Sequence, residues 1–99
     1  MSESAEKMIT ITMSYRNWAT MLEFCARLGL EEILVINRKV VDAISTLKVE
    51  KESDDVSVAI SVEEVNKYLN VMKCAPFYLS FDIVQALFVQ GQEQLKQEE

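Results

Sequence analysis

The chain has 99 residues, 49% of them apolar, and a formal charge of −6 from ten basic and sixteen acidic side chains. That length fits one domain with a modest core, and the composition excludes a disordered tail. The acidic balance makes nucleic acid and anionic lipid the less favoured partners, and the absence of histidine removes the commonest general base and metal ligand.

Two glycines and one proline leave few breakers, so long regular elements joined by short turns are expected, with helix dominant. Residues 1–6 are acidic and polar and read as a frayed lead-in. They do not resemble a signal peptide, and no apolar run reaches the roughly 18 residues a membrane span needs. The expectation is a cytoplasmic protein without membrane association. Cys25 and Cys74 both lie in apolar surroundings without CxxC spacing, which suggests reduced core thiols rather than a disulfide.

In chain order, Ile9, Ile11 and Met13 alternate with Thr10 and Thr12, which predicts a half-buried strand. Ser14 follows as a helix cap, with Asn17 where a capping-box acid would stand. Tyr15, Trp18, Leu22 and Cys25, joined by Met21 and Leu28, form an apolar stripe that Gly29 terminates. Residues 30–36 could be a short buried strand or helix. The stripe Ile33, Ile36, Val40, Ile44, Leu47 favours helix, with Glu31 and Glu32 at the end where a helix dipole welcomes acids.

Residues 47–51 read as extended and 52–55 as a turn, so a hairpin with a strand at 56–60 is plausible. Ser61 and Glu64 make a complete capping box ahead of Val62, Val65, Leu69 and Met72. That helix should stop near Lys73, because Pro76 biases Ala75 away from helical geometry. Ser80 is expected to cap a last helix lined by Phe81, Val84, Phe88, Gly91 and Leu95 and widened by Ile83 and Leu87. From Gln90 onward, glutamine and glutamate should face solvent or a partner. Trp18 and Phe88 are expected in the core, whereas Phe77 and Tyr78, placed in a short turn after Pro76, are the candidate partner-binding pair.

Ser61 lies 47 positions after Ser14 (61 − 14 = 47), and strand, cap, stripe, breaker and second stripe coincide at that offset. The expected architecture is therefore α+β and helix-dominated: one domain over 1–99 with pseudo-repeats at about 7–47 and 54–95, residues 96–99 frayed, and a small antiparallel sheet. The strands pair within the chain or across a homodimer, and each unit leaves a sheet edge that a second chain could extend.

A strand, a Ser-capped helix, a short turn and a second helix resemble the ribbon-helix-helix unit of small DNA-binding regulators, over residues 9–44 and again over 56–88. The resemblance implies a ribbon face of Thr10, Thr12, Ser57 and Ala59 entering a major groove, with phosphate at Glu31-Glu32 and Ser80. The chain departs from that pattern, because its ribbon face lacks Arg, Lys, Gln and Asn and acids stand at one phosphate site. The pattern also resembles short strand-helix-helix proteins of tailed bacteriophages, which implies an accessory or regulatory role and carries no functional residues with it.

Enzyme chemistry finds little to work with. Two glycines far apart exclude phosphate-cradling loops, Ser14, Ser61 and Ser80 are read as caps, and the adjacent pairs Glu31-Glu32 and Glu63-Glu64 point about 100° apart on a helix. The expectation is a non-enzymatic binding protein with a protein partner and no cofactor or metal. The alternatives are a ribbon-helix-helix-like DNA regulator and a small-ligand binder.

Overall fold

The computed structural model describes residues 8–97. Its elements run β1 (Met8–Ser14), α1 (Tyr15–Leu28), α2 (Glu31–Ser45), β2 (Asp55–Ser61), α3 (Val62–Met72) and α4 (Phe77–Gln97). The fold is α+β and helix-dominated, with one two-stranded antiparallel sheet. Residues 1–6 and 98–99, expected to be frayed, lie outside the described residues, and the backbone of Lys96 and Gln97 continues α4.

β1 pairs with β2 in a register that sets Ile11 opposite Val58 and Met8 opposite Ser61. Ile9, Ile11 and Met13 of β1 and Val56, Val58 and Ile60 of β2 all point inward. The period-2 pattern thus puts these six side chains on one face and Thr10, Thr12, Ser57 and Ala59 on the other. The strands pair within the chain, and the hairpin expected between 47–51 and 56–60 does not form. Residues 46–54 are turn and irregular instead. The Asp54 carboxylate accepts from the amides of Glu50 and Lys51, while the carbonyls of Asp54 and Glu52 accept from Tyr15 and Arg16. A loop tied to the first turn of α1 has its polar backbone satisfied there and cannot also lie along β2.

Both strands run straight into serine-capped helices. The Ser14 hydroxyl accepts from the Asn17 amide at 3.2 Å, and Ser61 and Glu64 form the full reciprocal box. Gly29 ends α1 at φ 67°, where a left-handed backbone favours glycine. α2 begins at Glu31, so the stretch 30–36 is helical from there, and it stops at Ser45, leaving Leu47 exposed beyond it. The tertiary face outweighs the poor helix propensity of Ile33, Val35 and Ile36.

The last helix differs from expectation. α4 starts at Phe77, directly after Pro76, whose carbonyl accepts from the amides of Leu79 and Ser80. A proline restricts the residue before it and is well suited to a helix start, so no turn is needed between Pro76 and the helix. Ser80 is consequently inside α4 and buried rather than a cap, and Phe77 and Tyr78 are first-turn helix residues.

The buried face of α4 is Ser80, Ile83, Leu87 and Gly91, which places Phe81 and Phe88 outside. Ile83 and Leu87 fill that inner face, and Gly91 lies against Ile9 of β1 and Val65 of α3. At Gly91 an added Cβ would already touch Ile9 and Val65 at 3.9 Å. Phe88 is therefore a surface residue, contrary to expectation.

One core joins all six elements, with Trp18, Met21, Tyr68 and Met72 among its largest fully buried members. The Trp18 indole N–H donates to the Val56 carbonyl at 2.8 Å and so ties α1 to the opposite strand. Polar satisfaction continues between the helices. The Tyr68 hydroxyl donates to Asn37 Oδ1 at 2.8 Å, and Asn37 Nδ2 donates to the Leu22 carbonyl at 3.2 Å. Burial follows the 47-residue offset: Trp18, Met21 and Cys25 answer to Val65, Tyr68 and Met72, and Ile33, Ile36, Val40 and Ile44 answer to Ser80, Ile83, Leu87 and Gly91.

Candidate partner-binding face

Two surfaces carry the residues singled out from sequence. The first is the outer face of α4. Phe77 is 74% exposed, Tyr78 83%, Phe81 49% and Phe88 55%, with Val89 beside them. Phe77 and Phe81, one turn apart, stack at a centroid distance of 5.1 Å and an interplanar angle of 45°. Lys73, Phe77, Phe81, Val84, Phe88 and Val89 line a shallow groove of about 430 Å³. A second trough of about 500 Å³ runs between α3 and α4 past Leu69, Val62 and Gly91, and it shares Lys73, Val84 and Phe88 with the first.

The structure thus places Phe77 at one end of a longer apolar face, while Tyr78 is exposed beside it and outside the groove lining. Sequence reasoning missed Phe81, Phe88 and Val89 as surface residues. A signal was present in the line Phe77, Phe81, Val84, Phe88, spaced four, three and four, which sits beside the line Ser80, Ile83, Leu87, Gly91. Hydrophobic size favoured the aromatic line for the core, but the structure buries the line that holds Ile83 and Leu87.

The second surface is the outer face of the ribbon. Thr10, Thr12, Ser57 and Ala59 are brought together there, with Thr10 opposite Ala59 and the Thr12 and Ser57 hydroxyls 2.7 Å apart. None of the four carries a charge, and Asp55 stands at the β2 end of the ribbon. Of the two positions matched to phosphate sites, Glu31 and Glu32 are exposed in the first turn of α2, while Ser80 is buried three residues inside α4.

Beside that face, the edge of β1 is occupied. The Gln90 side chain accepts from the Thr12 amide and donates to the Thr12 carbonyl, both at 2.7 Å. Gln94 does the same at Thr10, at 2.9 and 2.6 Å. The glutamines expected to face solvent or a partner thus act as a side-chain substitute for a third strand. Because Thr10 and Thr12 turn their backbone groups away from β2, their opposites Ala59 and Ser57 turn theirs away from β1. Those groups of β2 have no partner among the described residues.

The titratable groups with shifted acidity are structural in setting. Burial pushes the Cys25 thiol up to about 11, which keeps it protonated and a poor nucleophile. Burial also raises the Tyr68 hydroxyl, helped by the neighbouring Cys25 and Glu64. For Glu64, partial burial pushes the carboxyl upward, but the Lys39 ammonium at 2.7 Å and the Ser61 amide outweigh it and hold the group below its ordinary value. Cys74 is exposed, contrary to the expectation of a core thiol, and both cysteines are free. Among the described residues there is no group of three or more His, Cys, Asp or Glu side chains placed to hold a metal, and no helix long and apolar enough to cross a membrane.

No protein-family model, curated protein or solved structure matches the chain.

Proposed function

We propose that this is a non-enzymatic binding protein that holds a protein partner against the outer face of α4. The observation that carries the reading is the run of four half- to four-fifths-exposed aromatic side chains on one helix, Phe77, Tyr78, Phe81 and Phe88. Aromatic anchors are the residues that dominate protein interfaces, and an apolar patch of this extent costs solubility unless something covers it. Ser80, Ile83, Leu87 and Gly91 form the buried side of α4, so the aromatics lie outside the side that anchors the helix to the core.

The test is affinity capture of the tagged protein from its native host, wild type beside a Phe81→Asp, Phe88→Asp double variant, in nuclease-treated and untreated lysates. The reading expects a stoichiometric protein partner in both lysates with the wild type and its loss with the variant. Equal recovery by the two proteins would refute it.

A ribbon that reads DNA is the alternative, supported by the common outer face of Thr10, Thr12, Ser57 and Ala59. Those side chains offer no cation or amide to a base edge, and the net charge of −6 opposes phosphate. This alternative requires steeply salt-dependent DNA binding that Thr10→Ala and Thr12→Ala weaken. We also read the two halves as a duplicated strand-helix-helix unit, a reading supported by the shared burial pattern and by the Ile11–Val58 pair, whose members are themselves 47 residues apart. A cytoplasmic accessory or regulatory role fits a small acidic binder of this kind.

A further inference from the structure

We infer that the partner docks on this face through a short amphipathic helix with a carboxylate beside its apolar seam, laid along α4 so that the carboxylate meets Lys73. The inference rests on the partner-binding reading above and names the chemistry of the occupant. Shape, area and charge carry it.

The aromatics of α4 line a concavity. Phe77, Phe81, Val84 and Phe88 all belong to the 430 Å³ groove, and the 500 Å³ trough between α3 and α4 continues it past Leu69 to Gly91. Residues 77–88 rise about 16 Å along α4, which is three turns. The four, three, four spacing keeps the line on one side of the helix, the arrangement in which one helix receives the seam of another. An extended strand would need unpaired backbone groups to hold it, and a helix interior has none to give.

Area limits the size of the occupant. An aromatic side chain offers about 150–250 Å², so Phe77, Phe81 and Phe88, at 74%, 49% and 55% exposure, present roughly 350 Å². With an equal area on the other side the total is about 700 Å², short of the roughly 1,200 Å² that a specific stable interface between folded proteins hides. A face of this size suits one short segment held with micromolar affinity rather than a second copy of the chain.

Charge selects the sign of that segment. The chain carries a net charge of −6, yet among the described residues Lys73 is the one charged side chain in either lining, and it belongs to both. Its ammonium has no acidic partner among those residues, whereas Lys67 of α3 pairs with Glu32 and Glu63. Asp82 and Glu93 of α4 point about 100° or more away from the aromatic line. A basic segment would thus meet a like charge and no acid. An acidic one gains an ion pair, and repulsion from the more distant acids is screened within about 8 Å at physiological salt.

The test is display selection on the full chain of random peptides of about 16 residues, long enough for four helical turns. Enriched sequences are then measured by fluorescence anisotropy against wild type and variants. They should carry apolar residues three and four apart with Asp or Glu beside them, bind in the micromolar range and gain helical circular dichroism on binding. Lys73→Glu should weaken an enriched peptide about fivefold and Lys73→Gln by less, and changing the acid of the peptide to Lys should restore its affinity for Lys73→Glu. The Phe81→Asp, Phe88→Asp variant should bind neither peptide, and Val41→Asp, at an exposed position of α2, should bind like wild type.

Enriched peptides that are basic, proline-rich or without helical spacing would overturn the inference, as would affinities indifferent to Lys73→Glu or the absence of any peptide bound at this face. A protein captured through Phe81 and Phe88 whose binding ignores Lys73→Glu removes the inference and leaves the partner-binding reading standing. Wild type that sediments as a dimer, dissolved by the double aspartate change, would also remove it, because a second copy would then occupy the groove.

Discussion

The two strand edges of one ribbon meet opposite fates. β1 has Gln90 and Gln94 folded against it, each satisfying an amide and a carbonyl of the strand. Among the described residues, nothing covers the edge of β2 in this way. Positions 43 and 47, which answer to Gln90 and Gln94 at the 47-residue offset, are Ala43 and Leu47, and α2 has already stopped at Ser45. The difference lies in helix length and side-chain chemistry, since α2 runs fifteen residues and α4 twenty-one. Two halves with the same burial plan thus diverge through one helix, which seals an edge with its inner residues and leaves aromatics on its outer face. An open strand edge is ordinarily a site for unwanted pairing. Here the chain protects one edge with side-chain amides, while the other is left with small polar and apolar neighbours.

The largest predicted effect breaks the tie between the halves. Trp18→Ala removes a fully buried indole and its hydrogen bond to Val56, and should cost about 3–5 kcal/mol in chemical denaturation. Val65→Ala, at the matching position of the second half, should cost about 2 kcal/mol, because it deletes far less volume.

Removing the edge cover comes next. Gln90→Ala strands the part-buried amide and carbonyl of Thr12 and should cost about 1–3 kcal/mol, measured the same way. Gln94→Ala, at a more exposed site, should cost under about 1 kcal/mol.

Gly91→Ala should go in the other direction. The new Cβ meets Ile9 and Val65 at ordinary contact distance, so the gain in helix propensity of about 1 kcal/mol should appear as a raised Tm. A lowered Tm would show that α4 approaches β1 more tightly than its contacts allow.

The smallest effect concerns the Lys39–Glu64 pair. The Glu64 carboxyl is held below its ordinary value of 4.5, so its charge stabilises the fold above that pH. The contribution is lost as pH falls through the lower folded value. Glu64→Gln keeps a capping acceptor but not the charge, and should cost about 0.5 kcal/mol near neutrality, with a shallower loss of Tm on acidification.

Much of this fold was legible because its signals are local. Alternation located both strands, Ser61 and Glu64 specified a helix start, and Gly29 a helix end. What was illegible depended on distance in the chain. The pairing of β1 with β2 was one of the expected arrangements, and only the competing hairpin with residues 47–51 fails, because the loop's backbone is taken by the start of α1. Phe88 reads as core by size, but α4 turns the face of Ile83, Leu87 and Gly91 inward and leaves Phe88 at the surface. The glutamine cover spans more than seventy positions, and no spacing rule connects Gln90 to Thr12. Of the candidate site, Phe77 and Tyr78 were picked out through a turn that does not exist. They lie on the exposed face because a helix beginning at Phe77 carries both outward.

The most direct test of this account is residue-resolved amide hydrogen exchange at Thr10, Thr12, Ser57 and Ala59, four positions of one ribbon whose amides all point away from the other strand. Slow exchange at Thr10 and Thr12, fast exchange at Ser57 and Ala59, and loss of Thr12 protection in Gln90→Ala are the expected results. Equal exchange rates at all four amides, unchanged by that substitution, would contradict the claim that α4 closes one edge and leaves the other open.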